Sequence, residues 1–325
     1  MKILVTGGTG FVGSHIIDKL LEDDHSIVAT IRQSSNLRWI PQDKIETVLA
    51  PLGQCDNLES ILPDIDIVIH AAGITKATKS DNFFKINTTG TQKLLELCKH
   101  TADNLKKFVF ISSQAAGCPG KACDSICEKS LESPMTSYGK SKLEAEKIAE
   151  TYSEYFDIGI IRPPSVYGPR DSSIFIYFKI VNMGILPFIG SPERQFSLVY
   201  VEDLARAVNL ILQKSTSQFS KYYVCDGPRH TWREFGTELA LALGKKPLKL
   251  RLPKFSLKTV AAFNEIGSAI IKKPVLLSME KSQELCRNWV CHDNLIREEL
   301  GFVNKFDLKT GLQKTVKWYR ENDWL

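Results

Sequence analysis

The sequence predicts an α/β fold, a doubly wound parallel sheet with a smaller, mostly helical lobe toward its C-terminus. Three observations carry that expectation. Through the first 160 residues short apolar runs alternate with helical patterns. A glycine-rich turn separates the first apolar run from the first helix. After residue 165 the alternation loosens, and from Thr231 onward the pattern is mainly helical. Strands and helices in strict turn require crossover connections, which give a parallel sheet covered on both faces.

Lys2–Thr6 reads as the first strand. Phe11–Glu22 follows as a helix, because Val12, Ile16, Ile17, Leu20 and Leu21 fall on one face at the helical period. Ser26–Ile31 and Ile45–Leu49 are the next strands, with a short helix near Leu58–Leu62. Asp66–His70 is the fourth strand, Phe83–Lys99 a long helix and Lys107–Ser112 the fifth strand. Ser137–Tyr155 is a second long helix and Ile158–Ile161 a sixth strand. Unbroken apolar runs such as Ile67-Val68-Ile69 and Phe108-Val109-Phe110-Ile111 suit strands buried on both faces. Leu198–Val201, Leu204–Leu212 and Tyr222–Val224 still read as sheet and helix pieces. Beyond them, helices are expected at Arg233–Leu243, Ser256–Ile271, Met279–Arg287, Leu295–Leu300 and Leu308–Asn322. Residues 1–165 are thus expected to form one domain, with pieces near 196–225 returning to it, and 166–325 an interleaved second lobe.

Composition narrows the function classes. At 43% hydrophobic and 24% charged residues the chain is neither disordered nor fibrous. No apolar run approaches the roughly 20 residues of a membrane-spanning helix. The start, Met1 to Gly8, turns glycine-rich too early for a signal peptide. The net charge of +5 reads as scattered, with no block of like sign, so no nucleic-acid partner is expected. Eight cysteines without a CxxC pair suit reduced thiols in a cytoplasm. Cys118, Cys123 and Cys127 cluster, but they lack a fourth ligand at finger-like spacing, so no metal is expected.

Gly7-Gly8-Thr9-Gly10-Phe11-Val12-Gly13 follows a strand and opens a helix. Glycines there permit a tight turn and close approach of a pyrophosphate to helix N-terminal amides. An acid at the end of the second strand would hold the ribose hydroxyl of NAD. Here the strand ends Ile31-Arg32-Gln33-Ser34-Ser35, so Arg32 is expected to meet a 2′-phosphate, with Ser34, Ser35 and Arg38 as helpers. The expected cofactor is therefore NADP, with NAD as the alternative.

Tyr138 and Lys142 stand four apart in a helical pattern, on one face. A phenol titrates near pH 10, and a neighbouring ammonium lowers that value. The fifth strand ends in Ser112-Ser113, where open α/β sheets place ligands. A hydroxyl there can bind a substrate oxygen beside the tyrosine.

Together these residues resemble the extended short-chain dehydrogenase/reductases of the NAD(P)-dependent epimerase/dehydratase superfamily. Thr6 to Gly13 matches the family's cofactor loop, and His70-Ala71-Ala72-Gly73 its fourth-strand exit. Asn87-Thr88-Thr89-Gly90-Thr91 matches a helix start, and Ser113 precedes Tyr138 by the family's 25 residues. Arg162 to Pro169 matches the segment beside the nicotinamide, and Val201-Glu202-Asp203-Leu204-Ala205 a late motif. The resemblance implies a Rossmann fold with Tyr138 as acid/base, Lys142 as its partner and ribose ligand, and Ser113 as the orienting hydroxyl. It also implies cofactor contacts at Gly7, Gly10, Phe11, Val12 and Gly13, at Ala71, Ala72 and Gly73, at Asn87, and at Pro163 and Val166. Asn87 is read as structural or relay-like. A homodimer through Phe83–Lys99 and Ser137–Tyr155 is implied as well.

The chain departs from the family in places. Val48-Leu49-Ala50-Pro51-Leu52 lacks the usual Gly-Asp pair near the adenine. Nucleotide-sugar members have Asn where Ser165 stands and Arg where Phe196 stands, although Arg194 lies two residues away. The Arg-Pro-Pro-x-Val-Tyr-Gly-Pro form looks more like the dihydroflavonol reductase and 3β-hydroxysteroid dehydrogenase branches. The expected function is an NADP(H)-dependent oxidoreductase of a bulky small molecule, reducing a ketone or oxidising a secondary alcohol. A nucleotide-sugar epimerase or dehydratase is the alternative, and a non-catalytic NADP-binding regulator the third reading. Phe255–Ile271 reads as lobe core, a lid or a membrane-surface helix. Trp318 and Trp324 suggest a docked C-terminus.

Overall fold

The computed structural model describes all residues except 120–124, 215–216, 254, 258, 260, 263 and 265–277. Cys123 and the greater part of the expected helix Ser256–Ile271 lie outside the described residues. Seven parallel strands form the main sheet: β1 (Lys2–Thr6), β2 (Ser26–Ile31), β3 (Glu46–Leu49), β4 (Ile67–His70), β5 (Lys107–Ile111), β6 (Asp157–Arg162) and β11 (Phe219–Tyr223). Their spatial order is β11-β6-β5-β4-β1-β2-β3. The chain runs outward from β1 in one direction and then restarts at β4 in the other. That reversal leaves a crevice at the strand ends between β1 and β4, where such sheets bind ligands.

Alternation along each strand feeds two cores. Ile3 and Val5 pack with Ile16, Ile17, Val208 and Ile211 on one face, beneath α1 (Phe11–Glu22) and α6 (Val201–Gln213). Leu4 packs with Val68, Leu94, Phe108, Phe110 and Ala145 on the other, beneath α3 (Gly90–Thr101) and α4 (Ser137–Glu150). Successive side chains of β1 thus serve opposite layers, so the sheet is apolar on both sides.

The long helix expected over Phe83–Lys99 is divided. A turn of helix, α2 (Asp81–Phe83), leads into a π-helical segment, Phe84–Thr89, before α3 begins. Such widened turns are frequent at functional sites, and this one contains Asn87 and Thr88. The expected helix near Leu58–Leu62 is instead two 3-10 turns, Asp56–Leu58 and Leu62–Asp64.

The second half is less helical than its pattern suggests. Among the described residues it holds three two-stranded ribbons: β7 (Ser165–Tyr167) with β10 (Leu198–Tyr200), β9 (Gln195–Phe196) with β12 (His230–Thr231), and β8 (Ile185–Ile189) with β13 (Leu248–Leu252). Each strand's partner is distant in sequence, so local periodicity carries little trace of it. A third core joins Phe178 of α5 (Phe175–Asn182), Phe188, Phe235 of α7 (Trp232–Leu243), and Leu312 and Tyr319 of the C-terminal helix α10 (Leu308–Glu321). Two shorter helices, α8 (Met279–Glu284) and α9 (Asn294–Leu300), precede it. The C-terminus is docked as expected, with the Trp324 ring stacked on Tyr319 at 5.4 Å.

Candidate active site

The first wall of the crevice is the turn after β1. Gly7 adopts φ +74°, and Gly10 N donates to Gly7 O at 3.0 Å. A Cβ on Gly7 would stand 2.6 Å from Ala72 N, and one on Gly13 would stand 2.2 Å from Gly7 O. Backbone therefore meets backbone at both places, and only hydrogen fits. Gly10 caps α1 without a side-chain acceptor, and the first turn contains no acid. The leading amides, at Phe11 and Val12, are left for an anion. This cradle fits the pyrophosphate of a dinucleotide.

A buried hydrogen-bond chain fixes the second wall. Ala72 N donates to Thr6 Oγ1 at 3.3 Å, and Thr6 Oγ1 meets His70 Nδ1 at 2.6 Å. His70 Nε2 meets Thr91 Oγ1 at 2.9 Å, and Thr91 donates onward to Asn87 O at 2.6 Å. Because Thr91 spends its proton on Asn87, His70 must donate from Nε2 and accept at Nδ1. Burial pushes His70 down to about 3, so the neutral ring is the folded form. The depressed value makes its stabilisation fully present above the unfolded value near 6.5 and lost as pH falls toward 3. The stability advantage of wild type over His70→Gln should therefore shrink by about 1.4 kcal/mol per pH unit below 6.5. Urea unfolding at pH 7 and pH 5 measures this; a constant difference would mean that the ring titrates alike in the folded and unfolded chain.

The catalytic candidates converge where β5 ends. Ser112 and Ser113 are adjacent but face apart. Ser112 Oγ donates to the buried Glu146 carboxylate, whereas Ser113 caps the following 3-10 turn and accepts from Ala115 N at 3.1 Å. Ser113 also faces the Tyr138 phenol and favours its ionised form. Burial outweighs that help and pushes Tyr138 up to about 12. The expected lowering of this phenol by Lys142 is thus not what the arrangement produces. Lys142 Nζ donates to Ile111 O at 2.7 Å and lies 4.0 Å over the Phe110 ring. Burial holds it down, at about 7, against the opposing charge of Glu146.

The model of the NAD dependent epimerase/dehydratase family matches residues 3–225. The chain belongs to this family. Among similar proteins, the ceramide reductase of Caulobacter vibrioides is 26% identical over 327 residues, 99% of this chain and 96% of that one. The UDP-glucose 4-epimerase of Vibrio cholerae is 30% identical over 271 residues, 78% of this chain and 79% of that one. In fold, the chain matches the crystal structure of Bacillus cereus UDP-glucuronic acid 4-epimerase in complex with NAD. The TM-score is 0.80 over the full length of both, at 22% identity.

Within this epimerase/dehydratase-family chain, the remaining candidates divide. Arg32 is exposed beyond the end of β2 and pairs with no carboxylate among the described residues. Its backbone is closed into a turn by Ser35, whose Oγ accepts from Arg32 N at 2.9 Å, and Ser34 is exposed beside it. Arg38, expected as a helper, is instead stacked 4.1 Å over Trp39 and 5.2 Å from Trp324, so cation–π contact holds it at the C-terminus. Both ends of the Asn87 amide are taken by protein: Ile74 N and O at 2.8 and 3.0 Å, and Ser141 Oγ at 3.1 Å. Asn87 thus pins the Gly73 loop to α4, which supports the structural reading over direct cofactor contact. Pro163 O accepts from Gln114 N at 2.8 Å, which ties the segment expected beside the nicotinamide to Ser113. Val166 is half-buried in β7, opposite Val199.

Sequence reasoning missed two supports. Glu146, one turn after Lys142, chelates the guanidinium of Arg162, with Nε at 3.0 and 3.1 Å and Nη2 at 2.5 Å. Glu132 binds the same Nη2 at 2.5 Å, and Tyr223 accepts from Nη1 at 3.1 Å. The available signal was the spacing Tyr138, Lys142, Glu146, which extends one helical face. Glu280 is the other: both its oxygens bind Ser137, N and Oγ, at 2.8 Å. It joins α8 of the lobe to the start of α4, directly beside Tyr138.

Proposed function

We propose that this protein is an NADP(H)-dependent oxidoreductase that interconverts a ketone and a secondary alcohol on a bulky, weakly charged molecule. The observation that carries this is the facing pair Ser113 and Tyr138 at the crevice, with the phenol held protonated by burial. A protonated phenol is the form that delivers a proton to a carbonyl oxygen. Ser113 holds that oxygen, and Lys142 orients the tyrosine helix and its ribose partner. When bound, the dinucleotide supplies or takes up the hydride. Gly7, Gly10, Phe11, Val12 and Gly13 hold its pyrophosphate. Ala71, Ala72 and Gly73 flank it, and Pro163 and Val166 line the nicotinamide side. Arg32, Ser34 and Ser35 receive the 2′-phosphate of NADP; the exposed, unpaired guanidinium supports that choice over NAD.

On this reading residues 1–165, with 196–225, hold the dinucleotide, and 166–325 shape the substrate pocket. A relative named as a ceramide reductase supports a bulky apolar substrate. The free thiols of the seven described cysteines support a reducing compartment such as the cytoplasm. The family resemblance supports a homodimer through α3 and α4.

One observation favours the epimerase reading. Arg194 Nε and Nη1 are buried with no nitrogen or oxygen partner, beside the Cys286 thiol, while Nη2 donates to Ile189 O at 3.0 Å. Such a guanidinium suits an anionic substrate group, as a nucleotide sugar carries. Net redox separates the two. Incubation with bulky ketones should consume NADPH stoichiometrically. Arg32→Ala should weaken NADPH binding by about ten- to a hundredfold while leaving NADH unchanged. Interconversion of sugar nucleotides without net NADPH loss would overturn the proposal.

A further inference from the structure

The connection from β2 to β3, residues 32–45, contains neither strand nor helix, yet it carries Arg32, Ser34 and Ser35. Its first stretch has little to hold it. Arg32, Gln33, Ser34 and Asn36 are exposed. One local turn closes the stretch: Arg32 N donates to Ser35 Oγ and Ser35 N to Arg32 O, both at 2.9 Å. Further on, Leu37 and Ile40 pack into the first core, and Ile40 N donates to Leu37 O at 2.9 Å. Those two apolar residues attach the connection to the body of the protein. Trp39 stands between them in sequence, is half-buried, and packs elsewhere.

Its indole meets α10 and the turn that follows that helix. The ring of Trp318 lies 5.3 Å away at a tilt of 57°. Two guanidinium groups cover the Trp39 ring as well, Arg38 at 4.1 Å and Arg170 at 5.2 Å from its centre. Arg38 is shared with Trp324, whose ring is 5.2 Å off. Each of these partners is itself fixed. Trp324 N donates to Tyr319 O at 2.8 Å, and the Trp324 ring lies 5.0 Å from Phe175 of α5. Tyr319 is fully buried and donates to Asp171 O at 2.8 Å. Arg170 pairs with Asp18 of α1 at 2.8 Å. Ring–ring and cation–π contacts depend on direction, so this clamp sets an orientation as well as a distance.

We infer that Trp318 is a positioning residue for the dinucleotide: through Trp39, and with Trp324 behind Arg38, it holds the loop of Arg32, Ser34 and Ser35 in the shape that receives the 2′-phosphate. The inference rests on the role proposed above for Arg32 and deepens it. An exposed loop without secondary structure loses conformational freedom when it closes on a ligand, and that loss weakens binding. A loop already held by an aromatic clamp has lost that freedom beforehand. Burial of Leu37 and Ile40 attaches the connection but leaves the exposed stretch before it free to turn. The half-buried indoles, stacked against guanidinium groups outside the first core, supply the missing orientation. Trp318 thus acts through the loop and not on the dinucleotide itself.

The test uses the full chain carrying Trp318→Ala or Trp318→Phe. Isothermal titration, well below the melting temperature of each variant, gives the affinities for NADPH and NADH. Trp318→Ala should weaken NADPH binding about tenfold, the cost of ordering one or two further side chains, and change NADH binding less than about twofold. Trp318→Phe keeps a ring against Trp39 and should restore most of the NADPH affinity. Trp39→Ala opens the clamp from the loop side and should reproduce the loss, however well α10 tolerates its own substitution. Amide hydrogen exchange of the dinucleotide-free chain reads the clamp directly: residues 32–38 should exchange faster in both Ala variants, while β2 and β3 keep their protection. Unchanged exchange in that stretch overturns the proposal. In a chain that prefers NADPH, an equal loss of both dinucleotides or a loss of neither overturns it too, because a merely structural tryptophan lowers stability without altering the preference. A wild type with no preference for NADPH is a different result. It removes the role given to Arg32, and the exchange of residues 32–38 then decides alone whether the clamp holds the loop.

Discussion

Tyr138→Phe is expected to lower turnover by about 10²- to 10⁴-fold while leaving dinucleotide binding and the melting temperature unchanged. The variant removes one oxygen and retains the ring, whose edge contact with Phe83 at 6.0 Å packs the site. The large effect is expected because the Tyr138 phenol carries the titratable proton that faces Ser113. The pH dependence follows from the same burial. With the phenol pushed up to about 12, carbonyl reduction draws on a form that is fully populated from pH 6 to 9. Its rate should not climb across that range. Alcohol oxidation draws on the scarce phenolate and should climb with pH. Steady-state turnover in both directions checks this; more than a tenth of wild-type turnover in the Phe variant would remove Tyr138 from the proton transfer.

Arg162→Met is expected to cost about 3–5 kcal/mol of stability, a large fraction of what holds a domain folded. The guanidinium is 1% exposed and its main partner Glu146 3%, so neither can turn to water. Removing the arginine strands Glu146 with only the Ser112 hydroxyl and leaves Tyr223 unpaired. Arg162→Met combined with Glu146→Leu removes both charges and should recover most of the loss, because an apolar pair of similar volume needs no desolvation compensation. Urea unfolding of the two variants measures the difference. Glu146→Gln gives a second readout. Glu146 opposes the burial that depresses Lys142, so its neutralisation should move the Lys142 titration to still lower pH. A stability loss without that shift would restrict Glu146 to a structural role.

The legibility of this molecule follows the range of its interactions. The β1 turn is readable because part of its demand is local: Gly13 meets the backbone of Gly7 and Gly8, whereas Gly7 meets Ala71 and Ala72 at the exit of the neighbouring strand β4. Tyr138 and Lys142 are readable because helical period alone places them together. The parallel sheet is readable because its apolar runs alternate with helices. The choice of Ser113 over Ser112 rests in the sequence on spacing alone, and it gains its physical reason only when Glu146 takes Ser112. The ribbons of the second half escape the pattern, since β8 and β13 pair across some sixty residues and β13 has no buried side chain to alternate.

Local order along the chain is enough to specify the doubly wound sheet, the glycine cradle and the succession Ser113, Tyr138, Lys142. Periodicity and steric demand act within one turn or one strand, and they need no partner. The state of those groups comes from folding in three dimensions. Ser137 meets Glu280 across 143 positions, Arg162 meets Glu132 across 30, and Lys142 loses its solvent to β5. Burial and long-range charge set whether a phenol holds its proton and whether a leucine faces core or water. Those depend on which distant segments arrive beside each residue, and no local spacing encodes that.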